Sequence, residues 1–207
     1  RDHDPPVVTP VKDQGQCGSC AYHSCIEAIE SAWALNKGEL LVLSEQEVMD
    51  CDPQGSSCEG SLMNYCFQYV EDNGVCLEKD YKYVAHDENC RKCTPVVKIS
   101  GYKDVEPNNE NALMQAIYKT PVSVAVDATE FQLYDKGIIK SNCGSNLDHG
   151  VVVLGWGEED GVKYNLIRNS WGALWGEDGY VRIMRDPTAN NGTGMCGILS
   201  EPSYPIV

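Results

Sequence analysis

The chain predicts an α+β fold of two lobes that share a cleft. Two observations carry this. The first half spaces its apolar residues by three and four, as helices do, and the second half falls into short apolar runs closed by glycine and proline. Helices first and strands later is the order of an α+β protein, and 207 residues suffice for two small cores.

The first helix is expected from Cys20. Cys25, Ala28, Ile29, Ala32, Trp33 and Leu35 share its inner face, and Gly38 is a natural stop. Ser44-Glu45-Gln46-Glu47 reads as a capping box, in which Ser44 caps the Glu47 amide and Glu47 reaches back; Leu43 and Val48 staple that start. A third helix runs from Ser61 to Asp72, with Leu62, Tyr65, Cys66, Tyr69 and Val70 inward and Asn73-Gly74 ending it. Residues 74–98 read as loop, dense in cysteine and tyrosine. A short helix over Glu110–Lys119 stops before Pro121. Strands follow at Val122–Val126, Gly150–Gly155, Tyr164–Arg168 and Gly179–Arg185, with Glu159-Asp160-Gly161 as a hairpin turn.

The formal charge of −15 argues against nucleic acid and anionic membrane as partners. It suits solubility in an acidic compartment. No apolar run reaches membrane-spanning length. No signal peptide stands at Arg1, so a processed chain is expected. Eleven cysteines point to oxidising surroundings, either secreted or in a lysosome- or vacuole-like compartment. The count is odd, so one thiol is left over when five bridges form. Asn191-Gly192-Thr193 is a glycosylation sequon at Asn191.

Cys20 follows the turn-forming run Gln14-Gly15-Gln16-Cys17-Gly18-Ser19 and opens a helix. The positive end of the helix dipole there favours thiolate, the nucleophilic form. His149 opens an apolar strand, and Asn169 ends its partner strand, where its carbonyl can fix the imidazole tautomer. Trp171 can shield that bond, and Gln14 can offer its amide to an oxyanion beside the Cys20 N–H. Together these residue types make an acyl-transfer site without a cofactor or metal.

These residues lie in motifs that resemble the papain-like cysteine proteases of the cathepsin L type. The stretches are Val11-Lys12-Asp13-Gln14-Gly15, Cys17-Gly18-Ser19-Cys20, Leu43-Ser44-Glu45-Gln46-Glu47, Asp148-His149-Gly150, Asn169-Ser170-Trp171-Gly172, Trp175-Gly176-Glu177-Asp178-Gly179-Tyr180 and Cys196-Gly197. The resemblance implies a single papain-like catalytic domain. Its helical lobe spans 9–105 and its β-barrel-like lobe 106–198, with 1–8 and 199–207 crossing over as arms. It implies a monomeric endopeptidase with Cys20 as nucleophile, His149 as base and acid, Asn169 as orienter and Gln14 as oxyanion donor. A thiolate–imidazolium pair with a lowered Cys20 pKa goes with those roles. The partners implied are peptide substrates, a propeptide and cystatin-type inhibitors.

The resemblance also implies the bridges Cys17–Cys58, Cys51–Cys90 and Cys143–Cys196, and, from a spacing similar to the falcipain type, Cys76–Cys93. Cys25 and Cys66 either form a fifth bridge or stay as two buried thiols. The pocket for the side chain two residues before the cut is lined by Leu62, Met63, Ala125, Leu147 and Gly150, with Glu201 at its end, similar to the cruzain pocket. It implies bulky apolar side chains, with Arg also accepted. Gly60, Ser61, Asp148 and Trp171 complete the implied substrate contacts.

Three stretches depart from the pattern. Ala21-Tyr22-His23 replaces the usual Trp-Ala-Phe, Cys58-Glu59-Gly60-Ser61 replaces Cys-x-Gly-Gly, and Asp2-His3-Asp4 replaces Asp-Trp-Arg. The first is the ground for a rival reading as a catalytically impaired binding or allergen-type protein. Cys17-x-x-Cys20 as a redox motif is a further rival, and Cys76, Cys90, Cys93 and His86 as a zinc site is another. Within the enzyme class, an exopeptidase or a ligase is the alternative.

Overall fold

The computed structural model describes residues 4–207, so Asp2, His3 and the beginning of the expected 1–8 arm lie outside it. Helix α1, Cys20–Lys37, is the centre of the molecule. Gly38 ends it in the left-handed conformation (φ 74°), a conformation that costs glycine little, and returns its N–H to the Ala34 carbonyl. Nearly every residue from Ala21 to Ala34 is buried, on all faces of the helix. Leu35, expected inward, is 39% exposed.

Helices α2 (Glu45–Cys51) and α3 (Met63–Asn73) pack against α1, whereas α4 (Glu110–Ile117), capped by Asn109, packs on the strands. Half of the expected capping box is present. Ser44 Oγ accepts from the Glu47 N–H at 3.0 Å, but Glu47 does not reach back. Its carboxylate accepts the Cys76 N–H instead, at 2.7 Å, because the loop after α3 has no ladder to satisfy its amides. On α3, Leu62 is the half-exposed residue before the helix, and Phe67 takes the inward place beside Cys66 and Val70.

Among the described residues, seven strands form one sheet, in the order β1-β7-β2-β4-β5-β6-β3. They are β1 (Gly101–Asp104), β2 (Val122–Val126), β3 (Ile138–Ile139), β4 (His149–Glu159), β5 (Val162–Arg168), β6 (Tyr180–Met184) and β7 (Ser203–Ile206). All pairs are antiparallel except β3 with β6. Asp160-Gly161 joins β4 to β5 with both φ values positive (51° and 77°), the turn whose twist suits a hairpin. Strand β7 returns near the C-terminus to pair with β1 and to touch β2 at Ser203.

Two apolar clusters follow. One packs Val122, Val124, Val126, Val151, Val153, Ile167, Val181 and Ile183 from the sheet with Leu113 and Ile117 of α4. The other surrounds α1. Five disulfides form: Cys17–Cys58, Cys25–Cys66, Cys51–Cys90, Cys76–Cys93 and Cys143–Cys196. The three cysteines weighed as zinc ligands, and Cys17 of the C-x-x-C, are therefore held in bridges. Cys20 is the thiol left over.

Candidate active site

Cys20 is the first residue of α1, so its own N–H is among those a helix leaves without an intrahelical partner. Ser19, at the cap position, does not cap the helix. Its hydroxyl bonds to the Tyr83 hydroxyl at 2.5 Å, and Tyr83 donates to the Gln14 carbonyl at 2.8 Å. The turn before the helix is thereby fixed from behind.

His149 is the first residue of β4, and Gly150 beside it lies against the start of α1. A methyl group added at Gly150 would stand 3.3 Å from the Cys20 carbonyl and from Ala21 Cα. This close approach brings the first residue of the helix and the first residue of the strand together. Asn169 follows β5 directly. Its Oδ1 accepts the Ser170 N–H at 2.9 Å, so that oxygen faces the imidazole and His149 Nε2 must donate to it, at 2.7 Å. Nδ1 is left with the lone pair.

The ring is walled in. Trp171 stacks on it obliquely with centroids 4.9 Å apart, and Phe131 meets it edge-on at 6.2 Å. Trp175 braces both walls and donates its indole N–H to the Phe131 carbonyl at 3.0 Å. Nothing in the sequence singles out Phe131, because the single 3-10 turn that holds it, Thr129–Leu133, is too short to show a period.

Gln14 is buried and crosses between the lobes. Its backbone N–H donates to the Ser170 carbonyl at 2.8 Å, and its Oε1 accepts the Ser170 hydroxyl at 2.8 Å. One Nε2 hydrogen goes to the Cys17 carbonyl at 2.8 Å, which leaves the second for a ligand.

The electrostatics differ from the sequence expectation. Burial pushes the Cys20 thiol up, not down, against the N–H groups of Gly150, Ala21 and Cys20 itself, which favour the thiolate. Burial also lowers the His149 imidazole, against the bond to Asn169 and the charge of Asp148. Taken singly, each group leans neutral, as the cost of burying an isolated charge requires. His23, three residues after Cys20, is buried and held neutral, its pKa lowered to about 3 by burial. It packs edge-on against Tyr83 at 4.8 Å and exerts no charge on the thiol. Tyr22 is fully buried, with its hydroxyl against Gly55, where a methyl group would lie 1.9 Å away.

A cavity of about 410 Å³ opens beside Met63. It brings together Leu62, Met63 and Glu201 of the expected pocket, and adds Asn64, Asp104 and Ser200. Ala125, Leu147 and Gly150 do not line it, although Met63 Sδ would stand 3.2 Å from a methyl group at Gly150. Gly60 has φ 116° with open space beside its Cα, and Ser61 is half-buried. Asp148 is exposed and accepts the Ala128 N–H at 2.9 Å. Asn191 is exposed, in a turn with φ 60°.

A free cysteine at a helix start, an asparagine-held histidine at a strand start and a bridging glutamine amide define a thiol-dependent acyl-transfer class of site on a two-lobed α+β frame. Residues 1–206 match the family described as papain family cysteine protease, and the chain belongs to that family. It is 47% identical to the thiol protease SEN102 of Hemerocallis over 97% of this chain and 57% of that protein. It is likewise 47% identical to the senescence-specific cysteine protease SAG39 of Oryza sativa subsp. indica, over 96% and 60%. The chain thus spans less than two thirds of the length of these relatives. Among solved structures, the bromelain protease of Ananas comosus in complex with the E64 inhibitor superposes with a TM-score of 0.94 at 39% identity, covering 99% of this chain and 96% of that one. The Amb a 11 cysteine protease, a major ragweed pollen allergen, in its proform gives 0.93 at 36%, covering 99% of this chain and 64% of that one.

Proposed function

We propose that the chain is the catalytic unit of a cysteine endopeptidase. The observation that carries the reading is the 2.7 Å bond from His149 Nε2 to Asn169, which frees Nδ1 as a base in a site that also holds the one unbridged thiol. A neutral thiol and a neutral imidazole differ from a thiolate and an imidazolium by one proton. Transfer from Cys20 Sγ to His149 Nδ1 makes two opposite charges that stabilise each other, and the N–H groups around the sulfur favour the same change. The thiolate attacks the peptide carbonyl carbon. The oxyanion is taken up by the Cys20 N–H and the free Nε2 hydrogen of Gln14. The imidazolium then protonates the departing amine as the C–N bond breaks, leaving a thioester. Neutral His149 next takes a proton from water, whose oxygen attacks the thioester and releases the acid and the thiol.

The apolar wall of Leu62 and Met63 favours bulky apolar side chains two residues before the cut, and the Glu201 carboxylate extends this to Arg. A monomer that meets a propeptide and cystatin-type inhibitors in a secreted or acidic vacuole-like setting is the accompanying reading. The five bridges support the oxidising setting, and the proform of the related Amb a 11 protease supports the propeptide; among the described residues no helix is long and apolar enough to cross a membrane.

Labelling at acidic pH under mild reductant with an epoxysuccinyl peptide, mapped by mass spectrometry, tests the site. One equivalent on Cys20 with parallel loss of peptide cleavage is expected. A reduced Cys20 that takes no label would replace the enzyme reading with that of a binding protein.

A further inference from the structure

Two buried side chains outside the described site join its parts. Arg168 is the last residue of β5, directly before Asn169, and is 1% exposed. Glu27 lies on α1 seven residues after Cys20, two turns along the same face, and is 2% exposed. Glu27 Oε1 stands 3.3 Å from Arg168 Nη2. The same guanidinium donates to the Pro10 carbonyl and lies 3.4 Å from the Thr9 hydroxyl, in the segment that runs on to Gln14. Three segments therefore meet at one guanidinium, and each carries a member of the site: Cys20 on α1, Gln14 after residues 9–10, and Asn169 after β5.

The surroundings make this a poor stability device. Thr9 donates to Glu30, which also takes Lys12, and Lys12 reaches Glu45, so three buried carboxyls face two cations. Arg168 Nε is buried without a hydrogen-bond partner among the described residues. Buried ion pairs seldom add stability over apolar residues of the same volume, and an orphaned donor makes this one weaker still. What the arrangement does provide is a planar fork with fixed directions toward three segments.

We propose that Arg168 and Glu27 are positioning residues that align Cys20, Gln14 and Asn169. The inference rests on the catalytic reading of those three residues. Arg168→Lys keeps the charge and loses the fork. Glu27→Gln keeps the volume and loses the ionisable group. Glu27→Gln/Arg168→Met removes both charges. Arg185→Lys serves as control, since the Arg185–Glu110 pair is partly exposed, at 15% and 22%, and joins the end of β6 to α4, neither of which carries a member of the site.

Each variant is assayed for kcat and KM on a peptide amide, for the pH profile of Cys20 alkylation by iodoacetamide, and for Tm. In Arg168→Lys, kcat should fall roughly 10- to 100-fold with KM within about twofold, and the alkylation profile should shift by about half a pH unit or more. The double variant should regain Tm without regaining kcat. Glu27→Gln should match the wild type within about twofold at pH 5.5, where Glu27 among Arg168, Lys12, Glu30 and Glu45 holds its proton, and fall several-fold below it at pH 8.

Unchanged kcat and alkylation profile in folded Arg168→Lys, or kcat recovered in the double variant, would reduce the pair to a packing element. If Arg168→Lys does not fold, Glu27→Gln decides, and equal kcat at both pH values overturns the proposal. A reduced wild-type chain that cleaves nothing and takes no epoxysuccinyl label would fail before any variant is made. That result removes the catalytic reading, and this inference with it.

Discussion

The two halves of the molecule are held together by different means, and each supplies one side of the proposed chemistry. In the second half, the backbone does the work. Five strands from β2 to β6 pair in ladders, and valine and isoleucine alternate into one dry cluster around a single bridge, Cys143–Cys196. In the first half, residues 77–100 contain no regular strand or helix beyond isolated bridges, and side chains replace the ladder. Ser44 donates to the Tyr81 carbonyl, Gln46 both donates to His86 and accepts from Val84, Glu47 accepts from Cys76, and Asp50 accepts from Glu88 and Tyr81. Four disulfides fasten the first half, and two of them, Cys51–Cys90 and Cys76–Cys93, end in this loop. A backbone with no partner strand must be satisfied in some other way, and α2 is built as a polar peg for that purpose.

The sharpest contrast sets the thiol of one half against the histidine mount of the other. Cys20→Ala removes the nucleophile and should lower kcat by at least about 10⁴-fold, with the fold unchanged by circular dichroism. Gln14→Ala should cost roughly 3 kcal/mol of barrier, about 10²-fold in kcat. It removes a donor shared by both halves, so its loss should be the smaller of the two. Equal losses in the two variants would mean that Gln14 sets the geometry of the thiol as well as binding the oxyanion.

The difference between the halves also decides what a reader of the sequence can see. The alternation of Val122–Val126 and the Asp160-Gly161 turn betray strands directly, since the ladder needs nothing else. The short strands β1, β3 and β7 escape notice because two to four residues carry no period. Cys20, His149, Asn169 and Gln14 stand out through motif spacing. The raised thiol pKa does not, because burial is a property of the whole fold. Ser44-Glu45-Gln46-Glu47 looks like a self-contained cap, yet Glu47 is used by a loop 29 residues away, and no local pattern announces that partner. Arg168 stands inside a recognisable motif, but its contacts with Glu27 and Pro10 bridge 141 and 158 positions.

If disulfides substitute for ladders, removing one should loosen the first half selectively. Cys25→Ala/Cys66→Ala opens a bridge across 41 positions between α1 and α3, and should cost about 2–4 kcal/mol. Amide exchange should quicken in α1–α3 and the 77–100 loop while β4 and β5 keep their protection. Uniform loss of protection would show that the halves unfold as one unit, and the contrast would then be structural only.

Acid should favour the buried polar half. Burial raises Glu27 to about 7, against the pull of Arg168 and Lys12. A carboxyl with a folded pKa above its unfolded value of about 4.3 binds its proton more readily when folded. Its stabilisation is therefore complete below about pH 4.3 and is lost as pH rises to about 7. The loss is on the order of 3–4 kcal/mol across that window. Wild-type Tm, corrected for other titrations by comparison with Glu27→Gln, should fall over this range, and the variant should show a flatter curve. Identical slopes would mean that folding leaves the Glu27 carboxyl at its unfolded pKa.

The smallest effect concerns the rim of the cavity where the two halves meet. Asp104 and Glu201 both line it, from β1 and from the segment before β7, and Asn64 donates to Asp104 at 2.9 Å. Both carboxylates are exposed, so a guanidinium that reaches either one gains only what surface pairs give, about 0–1 kcal/mol. Glu201→Gln should therefore lower kcat/KM for an Arg side chain two residues before the cut by about two- to fivefold and leave a Leu substrate unchanged. Added salt should shrink the difference, because exposed charges are screened within about 10 Å at 0.1 M. If Asp104→Asn has the larger effect, the guanidinium lies toward β1, and the first half contributes charge selectivity as well as the nucleophile. A Leu rate that falls along with the Arg rate would instead make Glu201 a support for the cavity wall.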